Sequence, residues 1–128
     1  MYVAKSFREL NVWNAAIDLA SSMYELTAKF PKHELYGLTS QMRRAAVSIA
    51  SNIAEGSARS SKKDFRQFVL IAKGSVCELQ TQLVIADRLK YIHRSDLALT
   101  EHQLEQIARM LSGLAAYLDR PTKPKTSH

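Results

Sequence analysis

The sequence predicts an all-α protein, an antiparallel up-down-up-down four-helix bundle, on three observations. Apolar residues recur at three- and four-residue steps in four separate segments, which is the spacing of one helix face. No segment alternates apolar and polar residues for long enough to predict a strand. The 128 residues include only four glycines and three prolines, which are too few for a turn-rich β protein. Short connections favour antiparallel neighbours and therefore the up-down order.

The first two predicted helices flank a short connection that contains Pro31 and Gly37. The first helix spans about residues 11–29. Its expected core positions are Trp13, Ala16, Ile17, Ala20, Tyr24 and Thr27. The second helix spans about residues 39–55, and we expect Gly56 to cap its C-terminus. Its expected core positions are Met42, Ala45, Ala46, Ile49 and Ile53.

The third and fourth predicted helices complete the bundle. The third spans about residues 62–90 and begins after a capping serine, Ser61. Its expected core positions are Phe65, Phe68, Ala72, Val76, Leu79, Leu83 and Ala86. The fourth spans about residues 100–119, and its expected core positions are Leu104, Ile107, Ala108, Leu111, Leu114, Ala115 and Leu118. We expect one domain over residues 1–119 and a basic, disordered tail over residues 120–128.

Three of the helices carry more apolar residues than one buried face requires. The additional positions that we assign to an oligomer interface are Val12, Leu19, Leu26, Val47, Leu70 and Val84. A single bundle buries about one face per helix, so second faces on three helices predict a homo-oligomer. The alternative is a central helix that is buried nearly all round, which explains helix three more easily than three helices together.

Positive charge is concentrated in the middle of the chain. The net charge is +6, and residues 43–73 carry seven basic side chains against two acidic ones, a net charge of +5. Such an excess attracts polyanions through long-range steering and counterion release. The candidate nucleic-acid contacts are Arg43, Arg59, Lys62, Lys63, Arg66 and Lys73. The alternative is a solvated face. Phe65 and Phe68 are assigned to the core, so base stacking is not predicted.

The sequence lacks the motifs of the common catalytic and metal sites. It contains no His-Glu-x-x-His, Gly-x-Gly-x-x-Gly or phosphate-loop pattern, so we expect no catalytic residue, metal or cofactor. Cys77 is the only cysteine, which excludes an internal disulfide, and we expect it to be a buried structural thiol. The longest run without a charged residue, Ala45–Ala54, is too short to span a membrane. We therefore expect a cytoplasmic protein with no membrane partner.

A polar ridge runs along the second predicted helix. Its members are Gln41, Arg44, Ser48, Asn52 and Glu55. One interpretation is a solvated ridge, and the other is a polar network that fixes register at a helix–helix or subunit joint. Glu55 lies one turn before Arg59 and can pair with it, or it can pair with Arg44 within the ridge.

The order Gln-x-Arg-Arg-Ala-Ala-x-Ser-Ile, followed by Asn-Ile-Ala-Glu-Gly, resembles the signature of a known bacterial family. This is the four-helix-bundle family encoded in intervening sequences of 23S ribosomal RNA genes. Further segments that resemble the family are Phe7–Trp13, Phe30–Pro31, Glu34–Leu38, Phe65, Ala72, Gly74–Ser75 and Glu78–Leu79. The resemblance covers about residues 7–92. Arg43 and Arg44 match the paired arginines of the family, and Asn52, Glu55 and Gly56 match its Asn-Ile-Ala-Glu-Gly.

The resemblance implies a compact bundle that assembles as a ring-like homo-oligomer, a pentamer. The family is also similar in fold to the accessory protein of diversity-generating retroelements, which has a basic ring that binds nucleic acid. We therefore expect a non-enzymatic homo-oligomer that binds the backbone of RNA or DNA with little sequence specificity. The alternative is a protein-interaction scaffold that docks a ribosomal component or a reverse transcriptase without contacting nucleic acid.

Overall fold

A computed structural model describes residues 6–121, and this part of the chain contains four α-helices and no strand. The helices are α1 (Asn11–Thr27), α2 (Leu38–Ser57), α3 (Lys62–Arg88) and α4 (Arg94–Leu118). Short 3-10 turns at Phe7–Glu9 and Lys32–Glu34 precede α1 and α2. The prediction of an all-α protein with four helices is confirmed. Residues 1–5 and most of the expected tail, residues 122–128, lie outside the described residues.

Contacts between side chains and neighbouring helices fix the direction of each helix. Arg43, near the start of α2, donates to Thr27 Oγ1 at the end of α1, over 2.8 Å. Arg66, near the start of α3, donates to the carbonyl of Ala115 near the end of α4, over 3.3 Å. Only residues 58–61 join α2 to α3, so this pair also turns back on itself. Each consecutive pair is antiparallel. Within the described residues α1 packs on α2 and α4 but not on α3, which places α1 and α3 at diagonal corners.

Apolar residues from all four helices form one core. Each helix turns a stripe of positions inward, as a period of 3.6 residues requires. The largest side chains with almost no exposed surface are Leu19, Met23, Met42, Ile49, Ile53, Val69, Val76, Leu79, Leu83, Leu104, Ile107 and Leu111. On α2 every expected core position is buried.

On α1 the core prediction is correct at Ala16 and Thr27, which are buried, and wrong at several other positions. Val12, Leu19 and Leu26, which we assigned to an oligomer interface, are buried inside the single chain, and that assignment is wrong. Ile17 and Tyr24, which we assigned to the core, are 38% and 48% exposed. Apolar residues cover an arc of about 200° on this helix, at 100° per residue, so two stripes satisfy the helical spacing. The packing of α2 and α4 decides between them.

The outward side of α3 is also apolar. Val84 is 47% exposed, Leu70 is half-buried, and Cys77 is exposed, so the expectation of a buried thiol is wrong. With apolar residues on both sides, α3 is long and apolar enough to cross a bilayer by length and composition alone. The core helix of a globular bundle meets the same criterion, and the inward stripe of α3 packs in the core described above.

Gly56 lies inside α2, which continues to Ser57, so the expectation of a glycine cap is wrong. A side-chain carbon at this position would lie 2.6 Å from Phe68 Cβ and 2.9 Å from Phe65 Cδ1. The absence of a side chain therefore allows the end of α2 and the start of α3 to approach closely.

The connection between α3 and α4 is a Schellman motif. The Tyr91 amide donates to the Ala86 carbonyl over 3.0 Å, and the Lys90 amide donates to the Asp87 carbonyl over 2.9 Å. Lys90 has a φ of 62°, the left-handed conformation that the motif requires. After this turn α4 begins at Arg94, earlier than the predicted start at about residue 100. The partly buried side chain of Leu97 packs on the core there and extends the apolar stripe toward the N-terminus of the helix.

The two connections at this end of the bundle contact each other. Tyr91 Oη donates to Glu34 Oε2 over 3.0 Å, and the Leu38 amide donates to Glu34 Oε1 over 3.1 Å, which caps the start of α2. These bonds, chiefly the one from the Leu38 amide, hold the pKa of the Glu34 carboxyl below its usual value. The bond from Tyr91 to Glu34 therefore links the connection before α4 to the connection before α2.

Candidate nucleic-acid interface

Basic side chains converge where α2 turns into α3. Ser61 Oγ accepts the Asp64 amide over 3.1 Å, and this N-cap starts α3 at Lys62. The antiparallel packing brings the end of α4 to the same place. We call this cluster the basic end, and its members are Arg59, Lys62, Lys63, Arg66 and Arg120. An open groove of ≈ 410 Å³ between α3 and α4 is lined by Lys62, Lys63, Arg66, Gln67, Leu118, Asp119, Arg120 and Pro121.

Two aromatic rings lie among these cations. Lys62 Nζ is 5.1 Å and Arg120 Cζ is 5.9 Å from the centroid of the Tyr117 ring. Arg59 Cζ is 4.7 Å from the centroid of the Phe68 ring. Phe68 is half-buried, so its assignment to the core is correct for only part of the side chain. Cation–π contacts of this length hold the charged groups at the surface near the groove.

Two of the five cations already have acidic neighbours. Arg59 pairs with Glu55 over 3.2 Å, one of the two pairings that the sequence allowed for this carboxylate. Arg66 Nε donates to the Ala115 carbonyl and lies 3.7 Å from Asp119 Oδ1, so it ties α3 to α4. The other three cations of the basic end have no acidic partner among residues 6–121. These three are the groups that are available to an incoming anion.

The remaining predicted contacts, Arg43 and Lys73, lie away from the basic end. Arg43 is about 21 Å along the helix axis from the end of α2 at Ser57, at 1.5 Å per residue. Lys73 is about 16 Å along α3 from Lys62 on the same measure. The six predicted nucleic-acid contacts therefore do not form one patch. The six residues are close enough in sequence to suggest a single cluster. In a straight helix, however, residues ten or more positions apart are far from each other along the axis.

The middle of the polar ridge is a joint between α2 and α3 within one chain. Ser48 Oγ lies 2.9 Å from Ser75 Oγ on α3. The Asn52 side-chain amide donates to the Ser48 carbonyl over 2.8 Å and to Ser48 Oγ over 3.0 Å. The Ser48–Ser75 contact links the two helices, and the Asn52 bonds, which lie within α2, extend this polar network along the ridge.

The start of the polar ridge borders an open groove of ≈ 370 Å³, which is lined by Gln41, Arg44, Ala45, Ser48 and Glu78. Arg44 and Glu78 line this groove without forming an ion pair within the described chain. Arg44 also does not pair with Glu55, which is three helical turns away. Among residues 6–121, no group of three or more His, Cys, Asp or Glu side chains is placed to hold a metal ion.

Comparisons with known proteins give a family and a fold. A sequence model of the family described as 23S rRNA-intervening sequence protein matches residues 8–113. The crystal structure of a protein of unknown function from the S23 ribosomal protein family of Bacteroides thetaiotaomicron is similar, with a TM-score of 0.73 and 21% sequence identity. The match covers 81% of this chain and 97% of that one, and at this identity it shows the fold alone. No match is found among curated proteins.

Proposed function

The chain belongs to the 23S rRNA-intervening sequence protein family, as its motifs predicted, and on that premise we propose that it is a non-enzymatic, cytoplasmic protein that binds nucleic acid. The proposed ligand is the phosphate backbone of RNA or DNA, and the proposed site is the basic end. The observation that carries this proposal is the convergence of five cations from three segments, three of them without an acidic partner among residues 6–121. Backbone contacts position a protein without reading bases, so little sequence specificity follows.

The proposal includes assembly into a ring-like homo-oligomer, a pentamer by the resemblance to the family. Cyclic symmetry relates the copies by rotation about one axis, so every basic end in a ring lies on the same rim. Several copies of the site then contact one nucleic acid, and each contact after the first is intramolecular. A ring therefore strengthens binding without a new kind of contact.

The double variant Lys62→Glu/Lys63→Glu tests the site. We expect it to lower affinity at least tenfold and to reduce the salt dependence, because each lost phosphate contact removes about 0.7 to 0.9 from the log–log slope. The measurement is the anisotropy of labelled structured RNA and duplex DNA, titrated at about 50 and about 200 mM salt, a range over which phosphate contacts weaken strongly. Arg66 is left unchanged because it also holds α4.

The matched control is Lys29→Glu/Lys32→Glu, which makes the same change in net charge at the opposite end of the bundle. Both of these lysines are exposed, and we expect the control to bind nearly as well as the wild type. Equal losses in the two variants would show that only net charge matters and would contradict the site. A wild type that binds neither nucleic acid at the lower salt would contradict the function and favour a scaffold that docks a protein.

A further inference from the structure

A polar groove between α2 and α3 lies outside the proposed nucleic-acid site. It is the open groove of ≈ 370 Å³ described above, and Arg44, Ser48 and Glu78 are among the residues that line it. Arg44 is about 20 Å along the helix axis from the end of α2 at Ser57, at 1.5 Å per residue. The volume of the groove is within the range of sites that hold small molecules. The groove is therefore a candidate small-molecule site that is separate from the basic end.

The groove carries one charge of each sign. Arg44 contributes a guanidinium from α2, and Glu78 contributes a carboxylate from α3. Both residues are exposed, and neither forms an ion pair within residues 6–121. The hydroxyl of Ser48, by contrast, is already in contact with Ser75 and Asn52. The two charged groups are therefore the ones that are available to a ligand in the groove.

A buried amide with an unpaired oxygen lies next to these charges. Gln82 is only 6% exposed, and its Oε1 has no hydrogen-bond partner in the described part of the chain. Buried polar groups nearly always have a partner, because a buried acceptor without a donor has lost its bonds to water and gained nothing in return. The Gln82 oxygen therefore indicates a place where a donor from outside the chain would be stabilised.

The packing of α2 on α3 places Gln82 at the floor of the groove. Gln82 follows Glu78 by one turn of α3 and is rotated from it by about 40° towards the core, at 100° per residue. The Ser48–Ser75 contact shows which levels of the two antiparallel helices face each other. Two turns from that contact, Gln82 lies level with Gln41, which lines the groove. A ligand in the groove is therefore within reach of the buried oxygen.

The charges of the groove decide which class of molecule fits it. A simple anion such as phosphate would be attracted by Arg44 and repelled by Glu78, and a metal cation would meet the reverse. Among residues 6–121, no aromatic side chain lines the groove, so a nucleobase would have no ring to stack on. A small molecule with one positive and one negative group matches both charges.

We propose that this groove binds a free α-amino acid in its zwitterionic form. The α-carboxylate accepts hydrogen bonds from the Arg44 guanidinium, whose fork of donors matches the two carboxylate oxygens. The α-ammonium donates to the Glu78 carboxylate, and a second of its N–H groups donates to Gln82 Oε1. This site goes beyond the proposed function, since no residue of the basic end belongs to it.

Thermal unfolding with each of the common α-amino acids as the probe tests the site. A ligand that binds only the folded chain raises the unfolding midpoint, so at about 10 mM we expect at least one amino acid to raise it by about 2 °C or more. The N-acetyl and carboxamide derivatives of that amino acid each lack one charge, and we expect neither to raise the midpoint. If no amino acid raises it, or if the derivatives act equally well, the proposal is overturned.

Two single variants test whether the charges of the groove are responsible. Arg44→Gln and Glu78→Gln each remove one charge from an exposed position, and we expect either change to abolish the shift. The matched controls, Arg109→Gln and Glu105→Gln, make the same changes at exposed positions on α4 and are expected to keep the full shift. A shift that survives in Arg44→Gln or Glu78→Gln would place the amino acid elsewhere and overturn the site.

Gln82→Met separates a ligand contact from a structural role. Methionine is similar in length and leaves no buried acceptor unpaired, so we expect the variant without ligand to be at least as stable as the wild type. We expect its amino-acid shift to be reduced, because the ammonium loses one acceptor. A large loss of stability without ligand would show that the chain itself uses the amide, and an undiminished shift would show that the ligand does not contact it. Either result overturns the role of Gln82 in the site.

Discussion

Gly56→Ala is expected to lower the free energy of unfolding by about 2–3 kcal/mol, through overpacking between α2 and α3. The new methyl carbon would lie 2.6 Å from Phe68 Cβ and 2.9 Å from Phe65 Cδ1. Phe68 Cβ is fixed to its helix, and the Phe65 ring is buried in the core, so neither neighbour moves away without the helices moving. The gain in helix propensity, about 1 kcal/mol, is smaller than this cost.

Urea unfolding followed by far-ultraviolet circular dichroism measures this loss. Gly113→Ala serves as the control, because it makes the same substitution in a helix where the methyl group meets nothing. We expect the control to be as stable as the wild type or more stable. If Gly56→Ala matched the control, the close approach of α2 and α3 would not depend on the glycine.

Leu19→Ala is expected to cost about 2–5 kcal/mol, the usual loss for a fully buried leucine, whereas Ile17→Ala is expected to cost less than about 1 kcal/mol. The two positions lie on the same helix, two residues apart, and differ in burial: Leu19 has no exposed surface and Ile17 is 38% exposed. The comparison therefore tests directly which side of α1 faces the core.

The two alanine variants are compared with the wild type at the same protein concentration. The measured quantity is again the free energy of unfolding in urea. A larger loss for Ile17→Ala than for Leu19→Ala would support the orientation of α1 predicted from its sequence and contradict the structure.

Helical spacing predicts an element well and its orientation only where one side is polar. On α2 the larger apolar side chains lie mostly on one side, so Met42, Ile49 and Ile53 were identified correctly as core. On α1 both sides are apolar, and the spacing fits Leu19 and Ile17 equally well. Only the packing of neighbouring helices decides between them, and that information is not local in the sequence.

The candidate site follows the same division between local and long-range information. The cations from Arg59 to Arg66 are close in sequence and meet in space because they flank one turn. Tyr117 and Arg120 reach the same place from the end of α4, which the antiparallel order implies but the charge pattern does not show. Arg43 illustrates the opposite error, since a residue near in sequence is carried away along a straight helix.

The antiparallel order has a consequence for the electric field at the basic end. α1 and α3 begin there, and α2 and α4 end there. Each helix start carries a partial charge of about +0.5 from its macrodipole, and each helix end carries about −0.5, so the backbone contributions largely cancel. The attraction for an anion therefore originates in the side chains. A few substitutions of surface side chains can remove or restore this attraction while the backbone stays the same. Proteins that share this fold therefore need not share a polyanionic ligand.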